Sequence, residues 1–168
     1  MAILSSLKDN LIDLDLDRVW EGIEESEDGM PRAQLEELKQ RTLRALTELI
    51  CRAECVGNKN KLFNDLYNRE KRATTAVGMG IAFPHIRTMQ VTQFVAAIAR
   101  STRGIPFDAP DGKPVRLFFV MAAPPYDDKS YLRAYKTLAT ALRYDTVRQA
   151  LLEAPGAHDI VSVLRTSI

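Results

Sequence analysis

The chain has 168 residues with 23 basic and 22 acidic side chains, a formal charge of +1, so its totals specify neither a polyanion-binding surface nor a charged tail, and no nucleic-acid partner is expected. Apolar residues make up 46% and charged residues 27%, the composition of an ordinary water-soluble domain long enough for one real core. No apolar run reaches the roughly 20 residues of a membrane helix, and Met1 to Asp9 lacks a basic segment ahead of an apolar one, so neither membrane insertion nor a secretory leader is expected and the location reads as cytoplasmic.

From the N-terminus, Leu7 to Leu16 alternates apolar and acidic residues near its end, which predicts a short half-buried strand or extended lead-in. The acidic stretch Glu21 to Asp28, closed by Gly29 and Pro31, reads as a solvated loop or a short broken helix. Helical periodicity begins at Pro31 and carries Leu35, Leu38, Thr42, Ala45, Leu46, Leu49, Ile50 and Ala53, ending at Gly57-Asn58. A second helix is predicted from about Asn60 to Lys71, with Leu62, Phe63, Leu66 and Tyr67 on one side. Cys51 and Cys55, the only cysteines, stand one helical turn apart, where a disulfide would be strained. They are expected as reduced thiols in or near the core, with metal binding the lesser alternative.

After Thr75 the texture becomes extended. Gly78-Met79-Gly80 is a turn and Ile81-Ala82-Phe83 a short strand stopped by Pro84; Val91 to Arg100 is a buried strand and Gly104 to Pro114 a loop or hairpin. Val115 to Met121 is the strongest strand, its continuous apolar run predicting a central position covered on both faces. Asp127 or Asp128 caps a helix from about Lys129 to Arg143, and shorter helices follow at Thr146 to Glu153 and His158 to Arg165. The sum is a single α/β domain over residues 1–168, a mixed central sheet flanked by helices.

Two histidines are present. His158, beside Asp159 at a helix start, reads as a capping or surface residue. His85 follows Pro84 at a strand end, where the scaffold is rigid and the side chain accessible. By itself, a lone histidine beside proline is more often structural or merely exposed than functional. Its neighbours point further: Arg69, Thr74 and Thr75 precede it, and Arg87 and Thr88 follow. A phosphoryl-accepting histidine needs a neutral nitrogen, which an ordinary pKa near ~6.5 permits. It also needs cations or donors for the equatorial oxygens and an open approach. The arginines, threonines and glycine turn are candidates for the second requirement. Metal-ligand spacing is lacking. The Gly78-Met79-Gly80 turn has no GK[ST] ending, so no bound nucleotide or other cofactor is expected.

The stretch from Arg69-Glu70 through Thr74-Thr75 and Gly78-Met79-Gly80 to Ala82-Phe83-Pro84-His85 resembles the signature of the fructose/mannitol and nitrogen-regulatory enzyme IIA family of the sugar phosphotransferase system. Asn10 to Leu16 looks like the family's start, and Gly104 to Val115, continuing through Phe118 to Ala123-Pro124, like its later block. The resemblance implies a phosphocarrier: His85 accepts a phosphoryl group, at Nε2, from the small carrier HPr or its nitrogen-branch homologue, and passes it to a IIB component. It further implies that Arg69 steadies phosphoryl charge and that Thr75 is a hydrogen-bond partner near His85. Three departures stand out. Tyr131 occupies the family's second-histidine position and titrates far above neutrality. Ile86 replaces a small residue, and an acidic insertion spans about 18–30. The alternatives are a nitrogen-regulatory-type protein whose phosphorylation state governs a target protein, with weakened or lost transfer, and a degenerate domain that binds a partner without being phosphorylated.

Overall fold

The apolar run Val115–Ala123 forms strand β6, and the rest of the chain is arranged around it. Phe118, Val120 and Ala122 enter one core and Leu117, Phe119 and Met121 the opposite one. That two-faced burial is why no polar residue interrupts the strand from Leu117 to Ala123. The computed structural model describes residues 2–168.

In chain order the remaining elements are α1 (Ala2–Ser6), β1 (Ile12–Asp13), α2 (Arg32–Ile50), α3 (Lys59–Arg72), β2 (Ala76–Gly78), β3 (Ile81–Ala82), β4 (His85–Arg87), β5 (Val95–Ile105), α4 (Asp128–Ala141), α5 (Asp145–Glu153) and α6 (Ala157–Ser167). The sheet runs β1-β5-β6-β3-β2, with β4 also on β6 beyond β3. β5 and β6 are antiparallel, β3 and β4 parallel to β6, and β1 parallel to β5. The sheet is therefore mixed. Helices α2 and α3 cover one face through Leu38, Leu46, Leu62 and Leu66. Helices α4, α5 and α6 cover the other through Leu138, Leu151, Ile160 and Leu164.

The expected elements are present with shifted ends. The first long helix stops at Ile50, and Asn58 instead caps α3, its side chain accepting from the Lys61 amide at 3.0 Å. β5 begins at Val95 rather than Val91 and runs on to Ile105, so the turn-rich segment after it closes a long β5–β6 hairpin. Asp127, not Asp128, caps α4 by accepting from the Ser130 amide at 3.0 Å.

The N-terminal lead-in is less extended than its alternation predicts: only Ile12–Asp13 forms a strand, flanked by 3-10 turns at Asp9–Leu11 and Leu16–Trp20. Asp9 and Asp15 face solvent, but Asp13 and Asp17 are engaged. Asp13 pairs with Arg18, and Asp17 accepts from Ser101 and from the Thr102 and Arg103 amides. Glu21 to Asp28 is a loop with no helical turn, yet Val19, Trp20 and Ile23 around its start are buried in the α2-side core.

Candidate functional site at the end of the parallel strands

β3 and β4 are two halves of one path along β6, with Ala82 opposite Phe118 and His85 opposite Met121. Pro84, lacking an N–H, falls in the gap, where the ladder cannot continue. Its carbonyl still accepts from the Met121 amide at 2.9 Å, so the chain resumes in register two residues before β6 ends. His85 thus sits near the carboxyl ends of parallel strands, where open α/β sheets place their sites. A short link from Ala123 starts α4, whose first turn lays Tyr131 on the imidazole with ring centroids 4.5 Å apart and planes 21° apart.

The His85 ring is oriented from its own strand. Nδ1 lies 2.8 Å from the Phe83 carbonyl oxygen. A carbonyl can only accept, so Nδ1 carries the proton and Nε2 keeps its lone pair. The Phe83 side chain is buried, with ring centroids 5.5 Å from Phe119 and 5.0 Å from Tyr135, which anchors the residue whose carbonyl sets the tautomer. Burial holds the His85 pKa below the ordinary histidine value. The hydrogen bond to Phe83 opposes that shift, the Arg69 charge adds to it and the Glu70 charge opposes it. A neutral imidazole with a free Nε2 is a nucleophile.

Around it lies an open pocket of about 790 Å³ lined by Arg69, Arg72, Arg87, Asp128, Ile86 and Leu132 together with His85 and Tyr131. Arg69 and Arg72 stand three residues apart in the last turn of α3, on one side of the helix. Arg69 donates to the Ala73 carbonyl at 3.1 Å. Among the described residues no carboxylate pairs with Arg69 or Arg72, while Arg87 is paired with Asp128. Burial raises the Tyr131 phenol above its usual range, with the neighbouring Tyr135 adding to the rise and Arg69 opposing it. Tyr131 is therefore a neutral donor near neutral pH. Such a site can seat a dianion on guanidinium groups with a nitrogen lone pair beside it.

Of the residues singled out from sequence, His85, Arg69 and Tyr131 meet at this pocket, and so does Ile86. Thr75 does not line it. Its hydroxyl donates to Glu70 Oε2 at 2.6 Å and its amide to Glu70 Oε1 at 2.9 Å. The other threonines expected around the histidine are likewise engaged elsewhere, Thr74 on the Phe107 carbonyl and Thr88 on Asp65.

The glycine turn is a correction: Gly78 and Gly80, at φ +90° and +73°, make the β2–β3 hairpin turn, and Met79 and Gly80 line a different cleft, bordered by Arg116 and Arg148. Its Met79 amide is capped by Asp111 at 2.9 Å, so no backbone nest is offered to His85. Arg72 was overlooked. Its i, i+3 spacing from Arg69 at a helix end was the available signal. His158 is exposed in the first turn of α6, whose cap is Gly156. Cys51 and Cys55 are free, partly buried thiols raised in pKa by burial. No cluster of three or more His, Cys, Asp or Glu able to hold a metal occurs among the described residues, and none of their helices is long and apolar enough to cross a membrane.

An open mixed sheet between two helical layers, carrying a neutral imidazole among arginines at its strand ends, defines a histidine centre for an anionic group. Residues 33–167 match the family model described as the phosphoenolpyruvate-dependent sugar phosphotransferase system, EIIA 2, and the chain belongs to that family. It is 36% identical over 126 residues to the PTS system fructose-specific EIIA component of Haloferax volcanii, covering 75% of this chain and 82% of that protein. It is also 37% identical over 137 residues to the nitrogen regulatory protein of Bradyrhizobium diazoefficiens, covering 80% and 90%. The fold superposes on the nitrogen regulatory protein IIA-Ntr of Neisseria meningitidis with a TM-score of 0.79 at 27% identity, over 98% of this chain and 99% of that one. The chain is thus a phosphotransferase-system component.

Proposed function

We propose that His85 is the phosphoacceptor of a cytoplasmic phosphocarrier, taking its phosphoryl group from phosphohistidine on HPr or a nitrogen-branch homologue and passing it to a IIB component. The observation that carries this reading is the hydrogen bond from Nδ1–H to the Phe83 carbonyl, which leaves Nε2 as the attacking nitrogen. In the transfer, the Nε2 lone pair forms the new N–P bond as the donor's N–P bond breaks, and the donor imidazole keeps the electron pair. The transferring group spreads charge over its three equatorial oxygens. Arg69 and Arg72 are placed to meet that charge, and Tyr131 can donate to one oxygen through its hydroxyl. On the phosphorylated protein the Nδ1–H bond to Phe83 supports the imidazolium character of the leaving nitrogen during onward transfer. The β5–β6 hairpin acts from behind, as scaffold.

The test is direct. Phosphoenolpyruvate, enzyme I and HPr are incubated with the protein, and acid-labile phosphate is sought by intact mass. One phosphoryl group on the wild type, absent from His85→Ala, is expected. Label surviving in His85→Ala would overturn the site, and an unlabelled wild type would overturn the carrier role.

A further inference from the structure

The phosphoacceptor's hydrogen-bond acceptor is itself held by a buried chain of contacts that ends on the far side of α3. Glu70 is 3% exposed, and both its oxygens are engaged by Thr75, one by the amide and one by the hydroxyl. The Thr75 carbonyl accepts from the Phe83 amide at 3.0 Å, and the Phe83 carbonyl accepts from His85 Nδ1. A buried carboxylate requires a cation. That cation is Lys39 of α2, itself buried, with Nζ 3.4 Å from Glu70 Oε1 and 2.7 Å from Asp108 Oδ2. Nζ also lies over the Phe107 ring at 4.9 Å, a further attraction for the charge. Asp108 reaches it from the β5–β6 hairpin with a left-handed backbone, φ +53°, which aspartate tolerates better than most residues. The same hairpin pins the neighbouring residue, since the Phe107 carbonyl accepts from Thr74 Oγ1 at 2.8 Å.

We infer that Lys39 is a positioning residue for His85, acting through Glu70, Thr75 and Phe83 to fix the imidazole with its proton on Nδ1 and its lone pair on Nε2. This rests on the proposed role of His85 for its consequence in transfer, though not for its consequence in tautomer. The charged and titratable groups around the ring are Arg69, Glu70 and Arg72 from α3, Arg87 from β4, which is paired with Asp128, and Asp128 and Tyr131 from α4. Lys39 touches none of the reacting atoms. Its influence runs through Glu70, whose ionised form alone accepts from both the Thr75 amide and hydroxyl without competing as a donor.

The experiment compares Lys39→Met, Lys39→Arg and the double variant Glu70→Gln/Lys39→Met with wild type. Two quantities are read: the His85 tautomer from long-range 15N–1H spectra of the unphosphorylated protein, and the rate of phosphorylation by phospho-HPr. Lys39→Met should lose the Nδ1–H preference and slow phosphorylation about tenfold or more, the scale of a small misplacement of a reacting group; Lys39→Arg should restore both in large part. A folded Lys39→Met with wild-type tautomer overturns the inference, even if transfer is slowed. Should Lys39→Met fail to fold, the double variant should fold, because the uncompensated carboxylate is gone; equal failure of both overturns the inference. A wild type that HPr does not phosphorylate would overturn the functional reading and leave the tautomer comparison standing.

Discussion

The two sides of the His85 strand are built on opposite rules. In front, facing the pocket, Arg69 and Arg72 have no carboxylate partner among the described residues and Tyr131 stacks on the imidazole. Behind, in the space between α2, α3 and the β5–β6 hairpin, Glu70, Thr75, Lys39 and Asp108 are engaged with one another. The difference separates two tasks. In the proposed transfer, Arg69 and Arg72 would meet an incoming phosphoryl dianion and are left available for it, because a guanidinium already paired with a carboxylate would have to break that pair. Groups that set the tautomer are engaged, with Glu70 and Thr75 in the interior and Asp108 reaching Lys39 from the surface, because a buried polar atom left unsatisfied is costly and a satisfied network is rigid.

The largest effect that can break this contrast is Glu70→Ala. It leaves Lys39 paired with Asp108 alone and the Thr75 amide and hydroxyl without their acceptor, so a loss of about 3–5 kcal/mol of stability is expected in urea unfolding, from a split ion pair and two unsatisfied buried donors. Arg69→Ala, on the front side, should leave stability within about 0.5 kcal/mol of wild type and instead lower phosphorylation about 100-fold, as removal of a transition-state donor does. If both variants lost stability alike, the division between front and rear would be wrong.

Sequence made the front of the site legible and concealed the rear. The family signature binds His85 and Arg69, and Tyr131 stands out as a departure from the pattern that follows it. Glu70 looks in sequence like a surface partner for its neighbour Arg69. Its burial follows only when the chain doubles back at Ala73 and presents Thr75 to it five residues later. Lys39 is separated from Asp108 by 69 residues, and nothing in a helical period announces that pairing. The glycine turn misled for the converse reason. It stands five residues from His85, but along extended chain that is roughly 17 Å at about 3.3 Å per residue. Elements follow the same division: α3 and β6 are readable from period and burial, while the 3-10 turns of the lead-in depend on Arg18 and Ser101 arriving to engage the aspartates.

The next effect sharpens the electrostatic side of the comparison. His85 titrates below the ordinary histidine value, through burial first and then through Arg69. Phosphorylation needs neutral Nε2, so the rate should hold as pH falls through about 6.5 and decline only below that. Arg69→Gln removes one lowering influence, so the acid limb should move towards the ordinary value, as read by imidazole NMR alongside the rate. Stability has the matching sign. Between the unfolded and folded pKa values the unfolded chain binds more protons, so stability rises with pH across that window. His85→Gln should flatten that rise.

The smallest expected change is at Tyr131, which the family resemblance sets at the place of a second histidine. Tyr131 stacks on His85 at 4.5 Å from the first turn of α4, and α4 is anchored by the Asp127 cap and by Ala134 and Leu138 in the core. An imidazole at 131 would begin from the same backbone and stay within reach of a phosphoryl group on Nε2, donating as the phenol does. Tyr131→His should therefore preserve the phosphorylation rate or raise it a few-fold, with stability changed by less than about 1.5 kcal/mol for a partly buried ring exchanged for a smaller one. The change lies in front and leaves Glu70 and Lys39 untouched, so the His85 tautomer should stay with its proton on Nδ1. A collapse of transfer with the tautomer intact would show that the phenol has a role an imidazole cannot fill. A lost tautomer would show that the stacking ring, not the Phe83 carbonyl, holds His85 in place.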